Sequence, residues 1–151
     1  MKLYLLSFLL FLFPFPEIYF AKAVGITASD SIIILSKEIS TIKIRLRGIV
    51  CPVNYKDSDQ KATQATYNLC FNKQVCSEKS GFALNDHTQD FVYADDICVD
   101  NATLKQGLAW YYKKYNQDPK EANLDDKARS KKIGIWSLSS PTPSWGFIKN
   151  T

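Results

Sequence analysis

A chain of 151 residues, 46% of them hydrophobic, suits one compact domain and is too short for two ordinary ones. Its formal charge of +4 is mildly basic, which permits a polyanionic partner without demanding one. The single histidine, His87, and the lack of any C-x-x-C pair among four cysteines argue against a zinc site.

Lys2 gives a positive start, and Leu3 to Phe13 is apolar apart from Ser7. Pro14 and Pro16 break the run and Ala21-Lys22-Ala23 ends it. A positive start, a short apolar stretch and an A-x-A end mark a secretory signal peptide. The run is about half of the roughly 20 residues a membrane-spanning helix needs. The expected division is therefore a signal peptide over 1–23, cut after Ala23, and a domain over 24–151. Such a protein is secreted or periplasmic, with no stable membrane span after cleavage.

Ile32 to Leu35 is β-branched and apolar, as a buried strand is. From Thr41 to Ile49, Ile42, Ile44 and Leu46 alternate with Lys43, Arg45 and Arg47, which predicts a half-buried strand with a basic outer face. Residues 54–60 are polar and read as a loop. Ala62, Ala65 and Leu69 set a helix over Ala62 to Phe71. Residues 85–90 read as a turn, Phe91 to Ala94 as a strand, Asp95-Asp96 as a hairpin turn and Ile97 to Val99 as the returning strand.

Asp100 has the character of a helix N-cap, with Leu104, Leu108, Tyr111, Tyr112 and Tyr115 as the apolar stripe behind it and Pro119 closing the segment. A last helix, Leu124 to Lys132, is acidic at its start and basic at its end, with Gly134 as C-cap. The tail from Pro141 to Trp145 reads as an extended strap. Strands first and helices later predict a small barrel with helices attached. In an exported chain, Cys51, Cys70, Cys76 and Cys98 are expected to form disulfides, in any of three pairings.

Four segments together resemble the staphylococcal nuclease family. They are Ile44-Arg45-Leu46-Arg47-Gly48-Ile49 with Pro52; Gln106-Gly107-Leu108-Ala109-Trp110-Tyr111; Ala128-Arg129 with Lys132 and Gly134-Ile135-Trp136; and Pro141, Pro143 and Trp145. The resemblance implies an α+β, mainly β fold: an OB-type five-stranded barrel with about three helices. It also implies calcium-dependent cleavage of DNA and RNA phosphodiesters, a chemistry of metal-binding carboxylates, a glutamate base and two arginines on the phosphate.

The matching stretches keep little of that set. In Ala28-Ser29-Asp30-Ser31, Asp30 stands as a candidate calcium ligand, or as a residue that only shapes a turn, and Ala28 replaces an aspartate. In Val50-Cys51-Pro52-Val53, valines stand at a metal carboxylate and at the base. Arg45 matches the first arginine. His87 falls at or near the second, as a loop histidine or as a proton donor. Tyr115 matches an aromatic that faces the base, or belongs to the core, while Asn85 and Lys113 replace other aromatics of the nucleotide pocket. Asp57 and Asp59 are candidates to replace a lost carboxylate, though a lone Asp30 would hold Ca²⁺ weakly.

The leading expectation is thus a catalytically impaired domain that binds DNA, RNA, another polyanion or a protein through the former cleft. The alternative is a weak calcium-dependent endonuclease using Arg45, Asp30 and His87. A third reading is a structural component of the cell envelope.

Overall fold

The computed structural model describes residues 18–143 and 145, except 54, 85 and 86; the side chains of 56 and 79–87 lie outside the described set. Among the described residues, eight strands and three α-helices follow in the order β1 (Ile18–Ala28), β2 (Ser31–Leu35), β3 (Thr41–Leu46), β4 (Ile49–Val50), α1 (Lys56–Cys70), β5 (Gln74–Leu84), β6 (His87–Ala94), β7 (Ile97–Cys98), α2 (Val99–Lys105), β8 (Trp110–Tyr111) and α3 (Pro119–Ser130). A 3₁₀ turn, Gly134–Ser137, follows α3. The main sheet runs β3-β2-β1-β5-β6-β7, and a parallel β3–β6 pairing closes the first five of these strands into a barrel. The architecture is the expected five-stranded OB-type barrel with three helices.

The apolar run of β2 and the alternation along β3 both supply the core, as expected. Ile32, Ile34, Ile44 and Leu46 are sealed in the barrel, each such burial worth about 1.5–3 kcal/mol. Val75, Val92 and Ala94 complete the lining from β5 and β6, and Leu104 from α2 covers one end. Asp95 and Asp96 both take positive φ between β6 and β7, as a tight hairpin requires.

β1 was not foreseen. Its first half overlaps the segment assigned to the signal peptide: Ile18 to Lys22 pair with Glu78 to Gln74, and Ala21 and Ala23 lie in the core. Cleavage after Ala23 would remove six residues of this strand. Residues 1–17 lie outside the described residues.

Several other boundaries differ from expectation. The polar stretch 54–60 is largely the start of α1, because it contains no helix breaker and Asp57 and Asp59 complement the positive end of the helix. Residues 87–90 are strand, not turn. Asp100 is the second residue of α2, wholly buried, and the N-cap position is Cys98. The stripe from Leu104 to Tyr115 is not one helix. Gly107 turns left-handed at φ 65° and ends α2, after which Trp110–Tyr111 pairs with β4. Pro119 does not close that segment but opens α3, at the first-turn position where its missing N–H costs nothing, with Asp118 as N-cap.

Lys132, at φ 52°, takes the left-handed position after α3 that Gly134 was expected to fill. Gly134 instead meets Gly107 backbone to backbone. Ile135 N donates to Gly107 O at 2.8 Å, and a Cβ on Gly134 would sit 2.0 Å from that oxygen.

No disulfide joins Cys51, Cys70, Cys76 or Cys98 in the structure, where disulfides were expected. Strand order gives the reason for one pair: Cys76 registers with Tyr93, and Tyr93 with Cys98. Two strand spacings, roughly 9–10 Å, separate Cys76 from Cys98, beyond the roughly 7 Å that a disulfide bridges. Cys51 and Cys70 are buried elsewhere, in the cleft wall and at the end of α1.

Candidate functional site

Antiparallel pairing of β2 with β3 sets Ser31 opposite Arg45 and so brings Asp30, in the turn before β2, within reach of the arginine. Arg45 Nη2 lies 3.2 Å from Asp30 Oδ2. Ser31 Oγ donates to the other carboxylate oxygen at 3.1 Å, and Leu46 N donates to the Asp30 carbonyl at 2.9 Å. The two retained residues of the sequence motif are thus partners of each other.

The turn is fastened to α1. Thr66 Oγ1 donates to Ser29 O at 2.7 Å, and Ser29 Oγ donates to Asp59 Oδ1 at 3.1 Å. Asp59 therefore reaches the cleft; Asp57 is exposed on the helix. Beneath them Cys51 is fully buried, and burial foremost, then the Asp30 charge, pushes its thiol well above the usual range. A thiol held protonated in this way is a poor nucleophile.

The remaining motif positions supply no acid. Ala28 is the exposed last residue of β1. Val50 is half-buried and paired through its backbone with Trp110, and Val53 is 66% exposed. Among the described residues no group of three His, Cys, Asp or Glu side chains is placed to hold a metal ion. The described residues therefore do not form the carboxylate set that a calcium ion requires. The side chain of His87 lies outside the described residues; its backbone opens β6, two residues before Gln89, the register partner of Arg45.

Tyr115 is joined to the same strand end. Arg47 Nε donates to the Tyr115 carbonyl at 3.1 Å, and the Arg47 guanidinium sits over the Phe91 ring at 5.4 Å. The Tyr115 ring meets Tyr112 edge-on at 5.1 Å, with Lys114 over its face at 5.5 Å. Tyr112 in turn packs on Trp145 at 5.0 Å, so the proline-rich tail does act as a strap. Tyr55 holds that tail, donating to Ser140 O at 3.1 Å and accepting from Thr142 N at 3.2 Å. In the last helix Arg129 is not simply solvated: it approaches Asp125 at 3.8 Å and stacks over Trp136 at 4.3 Å.

A second acidic cluster supports the turn after β3. Gly48 N donates to Asp100 Oδ1 at 3.2 Å, while Asn116 Nδ2 donates to Glu121 Oε2 beside the same glycine. Burial foremost raises Asp100 to about 7, against the hydrogen bond from Gly48. Burial foremost, then repulsion from Asp100, raises Glu121 to about 8. Neither acid signalled this role in the sequence, where Asp100 reads as a cap and Glu121 stands in no motif.

Comparison with known proteins agrees with this geometry. Residues 43–138 match the family model described as staphylococcal nuclease homologue. An uncharacterized endonuclease of Haemophilus influenzae is 30% identical over 120 residues, covering 80% of this chain and 67% of that protein. An uncharacterized endonuclease of Escherichia coli O157:H7 is 29% identical over 145 residues, covering 90% and 91%. The staphylococcal-like nuclease CAN1 of Arabidopsis thaliana is 29% identical over 113 residues; the match covers 72% of this chain and a third of that longer protein, 33%. The matched segment runs from β3 through the 3₁₀ turn, contains Arg45 and Tyr115, and exceeds half the sequence: the chain belongs to the staphylococcal nuclease family.

Proposed function

We propose that this is an exported nuclease-family domain that binds nucleic acid through its cleft and cleaves it poorly or not at all. The observation that carries the reading is the pairing of Asp30 with Arg45. The carboxylate that would face a cation is taken by a guanidinium and a serine hydroxyl. The valines at 50 and 53 offer neither a cation ligand nor a base.

Binding needs less than catalysis. Arg45 is 44% exposed and can exchange Asp30 for a phosphate oxygen, since charge-assisted contacts to phosphate are short and strong. Tyr115 adds an aromatic face, and base stacking on such faces tolerates any sequence. A small OB-type barrel is a common platform for this use.

The competing reading, a weak endonuclease, is favoured by the names of the bacterial relatives and by the retention of Arg45. One experiment separates the two. A labelled single-stranded oligonucleotide is titrated with protein at two salt concentrations, and plasmid and RNA are incubated with protein and calcium in parallel. The proposal expects salt-sensitive binding that weakens in Arg45→Ala, without cleavage. Cleavage that needs calcium and vanishes in Arg45→Ala would establish the endonuclease, and absence of binding would remove the nucleic acid.

A further inference from the structure

The turn that carries Tyr115 sets up a row of rings. Tyr115 N donates to Tyr112 O at 3.2 Å, so residues 112–115 fold back on themselves, with the exposed Lys113 and Lys114 between the two tyrosines. Tyr112 N donates to Gly48 O at 2.9 Å and Arg47 Nε to Tyr115 O at 3.1 Å, which fixes the turn to the end of the strand that bears Arg45. Tyr115 and Tyr112 meet at 5.1 Å and 67°, and Tyr112 and Trp145 at 5.0 Å and 31°. All three rings are half-buried, so each keeps part of its surface in solvent.

Trp145 arrives there through the strap. Tyr55 Oη holds the tail at Ser140 and Thr142, and Pro141 and Pro143 fix their own φ angles, so the indole is delivered by a backbone with little freedom. Trp110, which is buried, meets the indole edge-on at 6.4 Å. An indole that served only to anchor the tail would need no more than that contact. This one also continues the row from Tyr115 and Tyr112, beside Lys113 and Lys114.

Rings interleaved with cations are the chemistry that holds single-stranded nucleic acid: ring faces take bases and the cations take phosphates. Paired bases do not suit the row. In a duplex, successive bases lie parallel and cover one another, whereas Tyr112 and Tyr115 stand at 67°. Resting on the nucleic-acid reading of the cleft, we propose that Tyr112 and Trp145 form a further subsite, which stacks an unpaired base of a strand whose phosphates lie on Arg45 and the turn lysines. The strap is then part of the binding surface as well as a fastening.

The test uses the full chain and two strands of about ten nucleotides, within the span that an OB fold covers. One is an oligothymidylate; the other has the same backbone without bases. Trp145→Ala should weaken the thymidylate about fivefold or more, as loss of one stacked base does, and leave the abasic strand, which keeps every phosphate, unchanged. Trp145→Phe should restore most of the affinity. The thymidylate should also quench tryptophan fluorescence in the wild type and much less in Trp145→Phe, which keeps an aromatic anchor for the strap. That quench decides the matter even if Trp145→Ala fails to fold. Equal weakening of both strands, or a quench undiminished in Trp145→Phe, would overturn the subsite and leave Trp145 an anchor; abasic binding that falls in Arg45→Ala would still uphold the cleft. Absence of binding by either strand would remove the cleft reading and the subsite together.

Discussion

Arg45 and Asp30 stand 3.2 Å apart, each satisfying the charge of the other across the β2–β3 hairpin. Arg45 is partly in solvent, and exposed ion pairs contribute about 0–1 kcal/mol. Arg45→Ala should therefore leave the melting temperature within a few degrees while reducing oligonucleotide affinity several-fold. A thermal melt and an anisotropy titration on the same preparation read both. A large loss of stability would make the arginine a structural residue.

Calcium should find no site in the wild type and a partial one after repair. At about 10 mM, an ion bound with a millimolar constant raises stability by under about 1.5 kcal/mol. The combined variant Ala28→Asp, Val50→Asp, Val53→Glu and His87→Arg should show a clear calcium-dependent rise in melting temperature and measurable plasmid cleavage. Each change alone should do neither, since groups that act as a unit are not additive. A folded combined variant that binds calcium without cutting would show the loops to be misplaced.

Stability should fall as pH rises through neutrality. Asp100 is raised from 3.8 to about 7 and Glu121 from 4.5 to about 8, so the folded protein keeps protons that the unfolded chain has released. Their stabilising contribution is complete below the ordinary values and is lost as pH passes through 7 and then 8. Each tenfold difference in proton affinity is worth about 1.4 kcal/mol. Melting temperatures measured from pH 4 to 9 should decline up to about pH 8 and then level off, and Asp100→Asn should remove the part of the decline that ends near 7. A flat profile for the wild type would contradict the raised values.

Gly134→Ala should be among the most damaging single changes outside the barrel core. The new methyl would meet Gly107 O at 2.0 Å, and position 134 has φ 58°. Strain and overpacking together cost roughly 2–4 kcal/mol. In a domain of this size that lowers the melting temperature by roughly 2–4 °C per kcal/mol. Gly25→Ala, which meets only the Ile33 side chain at 3.4 Å or more, is the tolerant control.

Barrel and hairpin were legible where side-chain period and turn chemistry agreed. Ile42, Ile44 and Leu46 alternate cleanly, and Asp95-Asp96 can occupy only a turn between Ala94 and Ile97. β1 was hidden because its apolar residues continue a longer apolar run. Its alanines fit the pattern of a cleavage site, while in the barrel Ala23 has no solvent-accessible surface. α2 was overextended because Leu104, Leu108 and Tyr111 keep helical spacing across Gly107, and spacing does not report a left-handed residue.

At the site, Asp30, Arg45 and Tyr115 were each named from the sequence, but their partners were not. Whether a carboxylate faces an ion or a guanidinium depends on the register of β2 against β3, which no single strand encodes. The Ser29–Asp59 and Thr66–Ser29 bonds depend likewise on where α1 crosses the barrel.

The parallel joint between β3 and β6 has a consequence for how the molecule comes into being. The β1–β2, β2–β3 and β5–β6 pairs are neighbours along the chain, whereas Ile44 meets Thr88 only after α1 and β5 have been laid down between them. Loop closure favours the nearby pairs first and makes such distant ones slow. Arg45 sits in that joint, opposite Gln89. Together with the still more distant β1–β5 pairing, this joint belongs to the slow part of folding, so the edge that carries Arg45 is complete only when the barrel has shut.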